Sequence, residues 1–386
     1  MRVFITDAGY KHTLAAVRSL GLKGVEVNVG STSRYAVSFY SKYVRSRHLY
    51  PDPKQNPLGF VNFIKRLVEK GNYDVLLPIG YNTTVTTARF KDRLIRHLAV
   101  PVADYDTLCV AADKIKTLEF AEKIGIPVPK TIACKNINDV KKAVKELKFP
   151  MVIKGALETG RTTYASRVTE LKSKCRFLST LSSDGFLIQE YIPGDGYGFF
   201  GLLNKGAPRA IFMHKRVREY PIAGGPSTAA EGIYEPRLKE LGLKMLRLLS
   251  WHGAAMVEFR KDFRDDEYKL MEINPKFWGS LDLAIVSGID FPYLTCKMAV
   301  DGDVKPMFRY KVGVKFVWPF PDDFRRALAD PLSIRDLIKD LIETRTRKNI
   351  SLSDLNPNLI QILKSFVMIK RLATSKKQDI LRTEFK

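Results

Sequence analysis

The stretch Leu270-Met-Glu272-Ile-Asn274-Pro-Lys276-Phe-Trp-Gly-Ser280, set behind Ala255-Met-Val-Glu258-Phe-Arg260 and a polar turn over 261–267, decides how the chain is read. Polar and apolar residues alternate in both runs, which predicts two strands joined as a hairpin. Folding back near Asp265 sets Glu258 directly opposite Glu272, with Asn274 two residues further along the same face. Two carboxylates facing across a ladder repel, so an ordinary sheet does not select them. A bound divalent ion reverses the sign, because Mg²⁺ takes carboxylate and amide oxygens as ligands. The plain alternative is a solvated hairpin face with its charges splayed into water, and the hairpin alone leaves both open.

Around that hairpin the chain has the make-up of an ordinary globular protein. Its 386 residues allow two or three domains, and 45% apolar with 27% charged content excludes a disordered chain. No apolar run is long enough to span a bilayer, and Met1-Arg-Val-Phe-Ile-Thr-Asp7 starts a strand without the form of a signal peptide. Four scattered cysteines, none in a CxxC pair, suit a reducing cytosol and argue against zinc or a disulfide framework. A cytoplasmic location is the expectation. The formal charge of +23 is spread along the chain, whereas nucleic-acid binders usually gather it and interleave aromatics, so nucleic acid is not the expected partner.

Residues 1–110 alternate strand and helix, the pattern of a small parallel α/β layer. The turn after the first strand lacks GxGxxG, while Gly80-Tyr-Asn82-Thr-Thr84 reads as a loop at a strand end, where an open sheet places ligands. A second unit opens at Asp113-Lys114; its helix stops at Gly125 before Pro127 and Pro129. Strand Met151-Val-Ile-Lys154 follows, then antiparallel-looking segments over 185–192, 197–203 and 208–213. One helix is expected over 235–250 and one over 280–300. The tail carries two amphipathic stretches, one on Leu332, Leu337, Ile338, Leu341 and Ile342, the other from Leu359 through Phe366 and Ile369 to Leu372 with Lys364, Lys370 and Arg371 nearby. A basic amphipathic helix can make peripheral contact with an anionic membrane, but packing of its apolar stripe on its own protein is the expectation.

Lys114, Lys154, Glu190-Tyr191-Ile192 before a Pro-Gly turn, and Glu258, Glu272 and Asn274 stand in one order along the chain. Singly each is weak; together they suit a nucleoside triphosphate between two sheets, with lysines on phosphate and carboxylates holding a metal on its oxygens. That order resembles the ATP-grasp superfamily, in the branch similar to the carbamoyl-phosphate synthase large subunit and biotin carboxylase. The motifs are Asp113-Lys114, Gly125-Ile-Pro-Val-Pro-Lys-Thr131, Pro150-Met-Val-Ile-Lys154, Gln189-Glu-Tyr-Ile-Pro-Gly194 and Met271-Glu-Ile-Asn-Pro-Lys-Phe-Trp-Gly-Ser280.

The resemblance implies an α/β and α+β, ATP-grasp fold in four parts. These are an N-terminal parallel α/β domain (1–110), a small subdomain with the lysines and phosphate loop (111–190), a C-terminal subdomain with the metal hairpin (191–312) and a basic helical extension (313–386). It implies that Lys114 and Lys154 contact ATP phosphates, that Glu190 to Ile192 bind adenine with Asp195 on the ribose, and that Glu258, Glu272 and Asn274 hold Mg²⁺, with Mn²⁺ as the alternative ion. Arg216 and Arg218, followed by Gly224-Gly225-Pro-Ser227, look like the strand and loop flanking the reacting phosphate. Lys276 stands where many relatives carry Arg, and it keeps the charge but loses the fork of donors. The loop after Lys154 departs from the glycine run common in the family, with Gly160 its one permissive residue before Thr162 and Thr163. The activity implied is carbon–nitrogen ligation of a small-molecule carboxylate and an amine through an acyl phosphate. Two rivals are an ATP-binding protein without turnover and a polyanion-binding protein.

Overall fold

The structure, a computed structural model, describes residues 1–367 except 136, 158–161, 182–184 and 223. The first layer runs β1 (Arg2–Ile5), α1 (Lys11–Leu22), β2 (Glu26–Ser31), β3 (Val44–Leu49), α2 (Pro57–Lys70), β4 (Val75–Leu77), α3 (Tyr81–Arg89) and α4 (Lys91–Leu94). Its sheet has the order β3-β2-β1-β4, all parallel, so the strand order reverses between β1 and β4. Gly80 caps α3, so Tyr81 to Thr84 are helical and not the loop expected there. The Asp7 carboxylate joins the two strand ends, accepting from Gly80 N at 2.7 Å and Thr83 Oγ1 at 2.5 Å.

The second part contains α5 (Tyr105–Ala112), α6 (Lys114–Lys123), β5 (Thr131–Cys134), α7 (Ile137–Glu146), β6 (Met151–Gly155), β7 (Thr162–Ala165), α8 (Val168–Leu181) and β8 (Phe186–Glu190). Its antiparallel sheet has the order β5-β8-β6-β7. Asp113 caps α6, accepting from Ile115 N at 2.9 Å, and the helix ends at left-handed Gly125, as a Gly before two prolines should end it.

The third part is built on β9 (Gly194–Asn204), β10 (Ala207–Glu219), β11 (Ser227–Gly232), α9 (Pro236–Leu248), β12 (Gly253–Asp262), β13 (Tyr268–Asn274), α10 (Leu281–Ser287) and α11 (Phe291–Asp301). β14 (Lys315–Val317), α12 (Phe324–Ala329), α13 (Ile334–Ile342), β15 (Arg347–Lys348) and a helix over 356–367 follow. The large sheet has the order β13-β12-β9-β10-β11-β14-β15. The extension is thus mostly helical, but it also adds two short strands to that sheet's edge. The single helix expected over 280–300 is two, bent by 83° at Gly288, whose φ of 108° ends α10 while Asp290 caps α11 by accepting from Tyr293 N. Among the described residues no single helix is long and apolar enough to cross a membrane.

Alternation along the central strands sorts the two faces of the large sheet. Phe199, Met213, Val257 and Phe259 pack with α9 residues Leu238, Leu241 and Met245. Phe200, Phe212 and Met256 turn the other way and share a core with Val3, Ile5 and Val29 of the first layer through Trp278 and Phe291. Further along that second face the apolar rows give way to Glu258, His214 and Arg216, and a cavity opens.

Candidate active site

The hairpin brings its three polar residues together by a route more particular than simple alternation. β12 and β13 pair as Lys261↔Tyr268, Arg260↔Lys269 and Phe259↔Leu270, then slip so that Glu258 faces Glu272 and Met256 faces Asn274. Met271 is the extra residue of that bulge, and without the slip the turn's register would oppose Glu258 to Met271. The Asn274 amide nitrogen donates to Glu272 at 3.2 Å, and Lys276 Nζ reaches the Asn274 oxygen at 3.5 Å.

Cations surround the two carboxylates. Lys114, at the first turn of α6 and only 4% exposed, lies 3.3 Å from Glu272 and donates to Leu157 O at 3.0 Å. Lys154 projects from β6 with its ammonium on Gln189 Oε1 at 2.9 Å. Arg216 crosses from β10 to Glu258 at 2.5 Å and also donates to Gly225 O at 3.0 Å. Its path runs over β9, where Gly194, Gly196 and Gly198 alternate. A Cβ at Gly196 would lie 2.7 Å from Arg216 Cδ, and one at Gly198 3.0 Å from His214 Nε2. The missing side chains clear the floor of the cavity.

The electrostatics push the two acids apart. Burial raises the Glu258 pKa, Glu272 and Glu219 add to the rise, and Arg216 offsets only part of it. Burial acts on Glu272 in the same direction, but Lys114, Lys154 and Lys276 together outweigh it and hold this carboxyl below its ordinary range. Burial lowers the Lys154 pKa against the pull of Glu272 and Glu258. Burial, with Arg216 beside it, keeps His214 neutral, well below the usual histidine range.

The cavity they line measures about 320 Å³. Its wall includes Lys154, Arg216, Arg260 and Lys276 as cations against Glu219, Glu258 and Glu272. Both ring nitrogens of His214, the Nε atoms of Arg216 and Arg260, and the Trp278 indole nitrogen are buried with no hydrogen-bond partner among the described residues. Unsatisfied donors around a cation-rich hollow call for an anionic, acceptor-rich ligand. Among the described residues no three His, Cys, Asp or Glu side chains group as a metal cage. Two carboxylates and an amide fit Mg²⁺, which keeps waters and binds through one or two carboxylates plus phosphate oxygens.

Not every residue singled out in the sequence reaches this cavity. Lys154, Arg216, Glu258, Glu272, Asn274 and Lys276 line it, and Lys114 stands behind Glu272 without lining the cavity itself. Arg218 does not reach it: the pairing of β10 with β11 slips at Val217, turning Arg218 away onto Asp323 and Asp340 at 2.6 and 2.7 Å. Asp195 lies on the opposite face of β9 from Gly196 and binds Lys215 at 2.6 Å. Glu190 accepts from Lys130 N at 2.8 Å and pairs with Arg264, Tyr191 packs edge-on to Tyr164 with Arg260 above it, and Ile192 is buried. Gly160 lies outside the described residues.

The structure also brings in residues not assigned an individual role from the sequence. His214 and Arg260 share the cavity-facing parity of Arg216 and Glu258, a signal present in the alternation, whereas Glu219 has the other parity and reaches the cavity only because the β10–β11 pairing slips before it. Lys11, in the Asp7–Lys11 loop expected to supply substrate groups, comes from the first layer to the back of this wall, donating to Asp322 at 2.5 Å and to Ser227 O at 3.4 Å without lining the cavity.

Comparison with known proteins bears on this arrangement. Residues 183–318 match the family described as ATP-grasp in the biosynthetic pathway with Ter operon. The chain is 22% identical over 289 residues to D-aspartate ligase of Enterococcus faecium, covering 67% of each chain. It is 21% identical over 315 residues to the carbamoyl phosphate synthase large chain of Pyrococcus furiosus, covering 76% of this chain but 28% of that one. Among solved structures, the biotin carboxylase–β,γ-ATP complex of Campylobacter jejuni superposes with a TM-score of 0.67 at 16% identity, over 81% of this chain and 74% of that one.

Proposed function

The chain has the ATP-grasp fold, and on that premise we propose that it is a cytoplasmic, ATP-dependent carboxylate–amine ligase. The observation that carries the reading is the buried Glu258/Glu272 pair, opposed across a ladder inside a cavity lined by Lys154, Arg216 and Lys276, with Lys114 paired to Glu272 behind that wall. A pair of like charges so placed is stable only with cations around it, and the surplus of cations and unpartnered donors suits a triphosphate. D-aspartate ligase among the relatives and the nucleotide complex among the structures support the same class.

In this reading Lys114 and Lys154 neutralise ATP phosphates, and Glu258, Glu272 and Asn274 would hold Mg²⁺. The ion, when bound, supplies further charge neutralisation on the phosphate oxygens. A substrate carboxylate attacks the γ-phosphorus in line, the bond to the β-phosphate oxygen breaks, and ADP leaves beside an acyl phosphate. An amine then adds to the acyl carbon and phosphate departs, leaving the amide. Arg216, fixed by Glu258 and Gly225 O, stabilises the acyl phosphate with its remaining donors, and Lys276 holds charge at the far wall. The protein positions and neutralises, and no covalent enzyme intermediate is required. We further propose the divisions at 110, 190 and 312 as the borders of the functional parts.

Calorimetry of ATP binding with and without Mg²⁺, on wild type and Glu272→Ala, tests the proposal. Metal-dependent binding lost in the variant is the expected result and justifies screening acids and amines for ADP release. Binding indifferent to Mg²⁺ and to Glu272 would sink the site assignment.

A further inference from the structure

Two helices of the extension lie on the protein inside out. At α13, the preceding Ser333 and the helical Leu337 and Asp340 face inward, while Ile334, Ile338, Leu341 and Ile342 face solvent, Ile342 at 75% exposure. The helix over 356–367 repeats the pattern at the same spacing: Asn358, Gln361 and Ser365 are buried, and Leu359, Leu363, Phe366 and Val367 are exposed. An apolar stripe at i, i+4, i+7 and i+8 normally turns to the core, and here these residues turn outward against that expectation. Leu337 packs inward, Ile360 and Ile362 are half-buried, and Ile369 to Leu372 lie outside the described residues. Buried polar contacts hold the reversed orientation. Asp340 pairs with Arg218 and Lys315, while Asn358 accepts from Arg18 and donates to Asn349 O. Turning either helix over would strand those groups without partners.

We propose that this outward apolar face seats the protein on an anionic lipid surface. Charge selects that occupant. The acids Asp322, Asp323, Asp340 and Asp354 are all turned inward onto Lys11, Arg218 and Arg18. Arg335, Lys339, Arg345 and Arg347 stay exposed beside the stripes, against Asp336 and Glu343. Lys364, on the polar flank of the last helix, reaches Tyr35 O, which places exposed Arg34 and Tyr35 of the first layer at the same border. Apolar side chains rimmed by cations and an amphipathic aromatic match the acyl boundary and headgroups of an acidic leaflet. A second copy would bring the same positive rim, in a chain of net charge +23, against itself.

Co-sedimentation of the full chain with phosphatidylcholine vesicles, with and without phosphatidylglycerol and at low and high salt, tests the proposal. Wild type should pellet with the acidic vesicles and be released by salt. Ile338→Ser with Leu363→Ser should weaken the partition roughly tenfold or more, because two exposed side chains lose their apolar burial. Unchanged circular dichroism and ATP binding in that variant would show that its fold and nucleotide site are intact. Wild type left in the supernatant overturns the proposal. Equal partition of wild type and variant also overturns it, assigning binding to the diffuse charge. A dimer in light scattering that the variant dissociates, with no vesicle binding, gives the face to a second copy instead.

Discussion

Glu258, with its pKa raised by burial and by the facing acid, must be ionised to serve a metal, so a proton is displaced on binding. Because the folded value lies above the ordinary one, MgATP affinity should fall as pH drops through the mildly acidic range. Calorimetry in two buffers of different ionisation enthalpy should register a proton release that grows as pH falls. Gly196 offers a second check. A methyl group at that position meets Arg216 Cδ at 2.7 Å, whereas at Gly9 nothing lies within 4 Å. Gly196→Ala should therefore lower ADP release at least about tenfold by displacing the arginine, and Gly9→Ala should not. Arg218 behaves differently, since it is 8% exposed and answers two buried aspartates. Arg218→Met leaves them unpaired and should cost about 3–5 kcal/mol in urea unfolding, a loss of stability before any loss of turnover. From the sequence, Arg216 and Arg218 were equivalent, two basic residues of one parity in one strand. A slip at Val217 separated them, and a bulge depends on pairing partners far along the chain.

Elements with local punctuation were legible. α6 begins at the Asp113 cap and ends at Gly125, both written in the sequence. The break between α10 and α11 was legible too, in Gly288 followed by Asp290 and Pro292, but the long apolar pattern over 280–300 masked it. The hairpin's pairing was read from alternation, yet the turn and the carboxylates belong to different registers, and only the Met271 bulge reconciles them. How the extension is held is an element-scale question. Arg18 of α1 donates to Asp354 Oδ2, to Asn349 O and to Asn358 Oδ1, each at 2.9 Å. Arg18→Leu should release this segment first, so limited trypsin digestion should cut within 343–364 before it cuts elsewhere. Cleavage no faster than in wild type would show that the apolar contacts alone hold it.

For the whole molecule, four of the five histidines have lowered pKa values, each chiefly through burial: His12 and His214 well below 6.5, His48 less so, and His252 to about 4. Below about pH 6.5 the unfolded chain takes up protons that the folded one refuses, so stability should decline as pH falls from 7 towards 5. Urea midpoints across that range would show it, and a flat profile would mean that the histidines protonate without unfolding. Ligand should act in the opposite sense. MgATP at about a hundredfold over its Kd should add about 2.7 kcal/mol and raise Tm, with ATP alone doing less. The order of Lys114, Lys154, Glu258 and Glu272 along the chain carried the resemblance from which the fold class was read and the triphosphate ligand is proposed, because a triphosphate and its metal would demand those charges whatever surrounds them. Tertiary structure alone decided which residues share the cavity. The slips at Met271 and Val217 and the glycine floor that lets Arg216 cross β9 depend on contacts between distant segments. It also decided that the tail's helices turn their apolar stripes outward, since periodicity marks a stripe, but the buried partners of Asp340 and Asn358 set which way it faces.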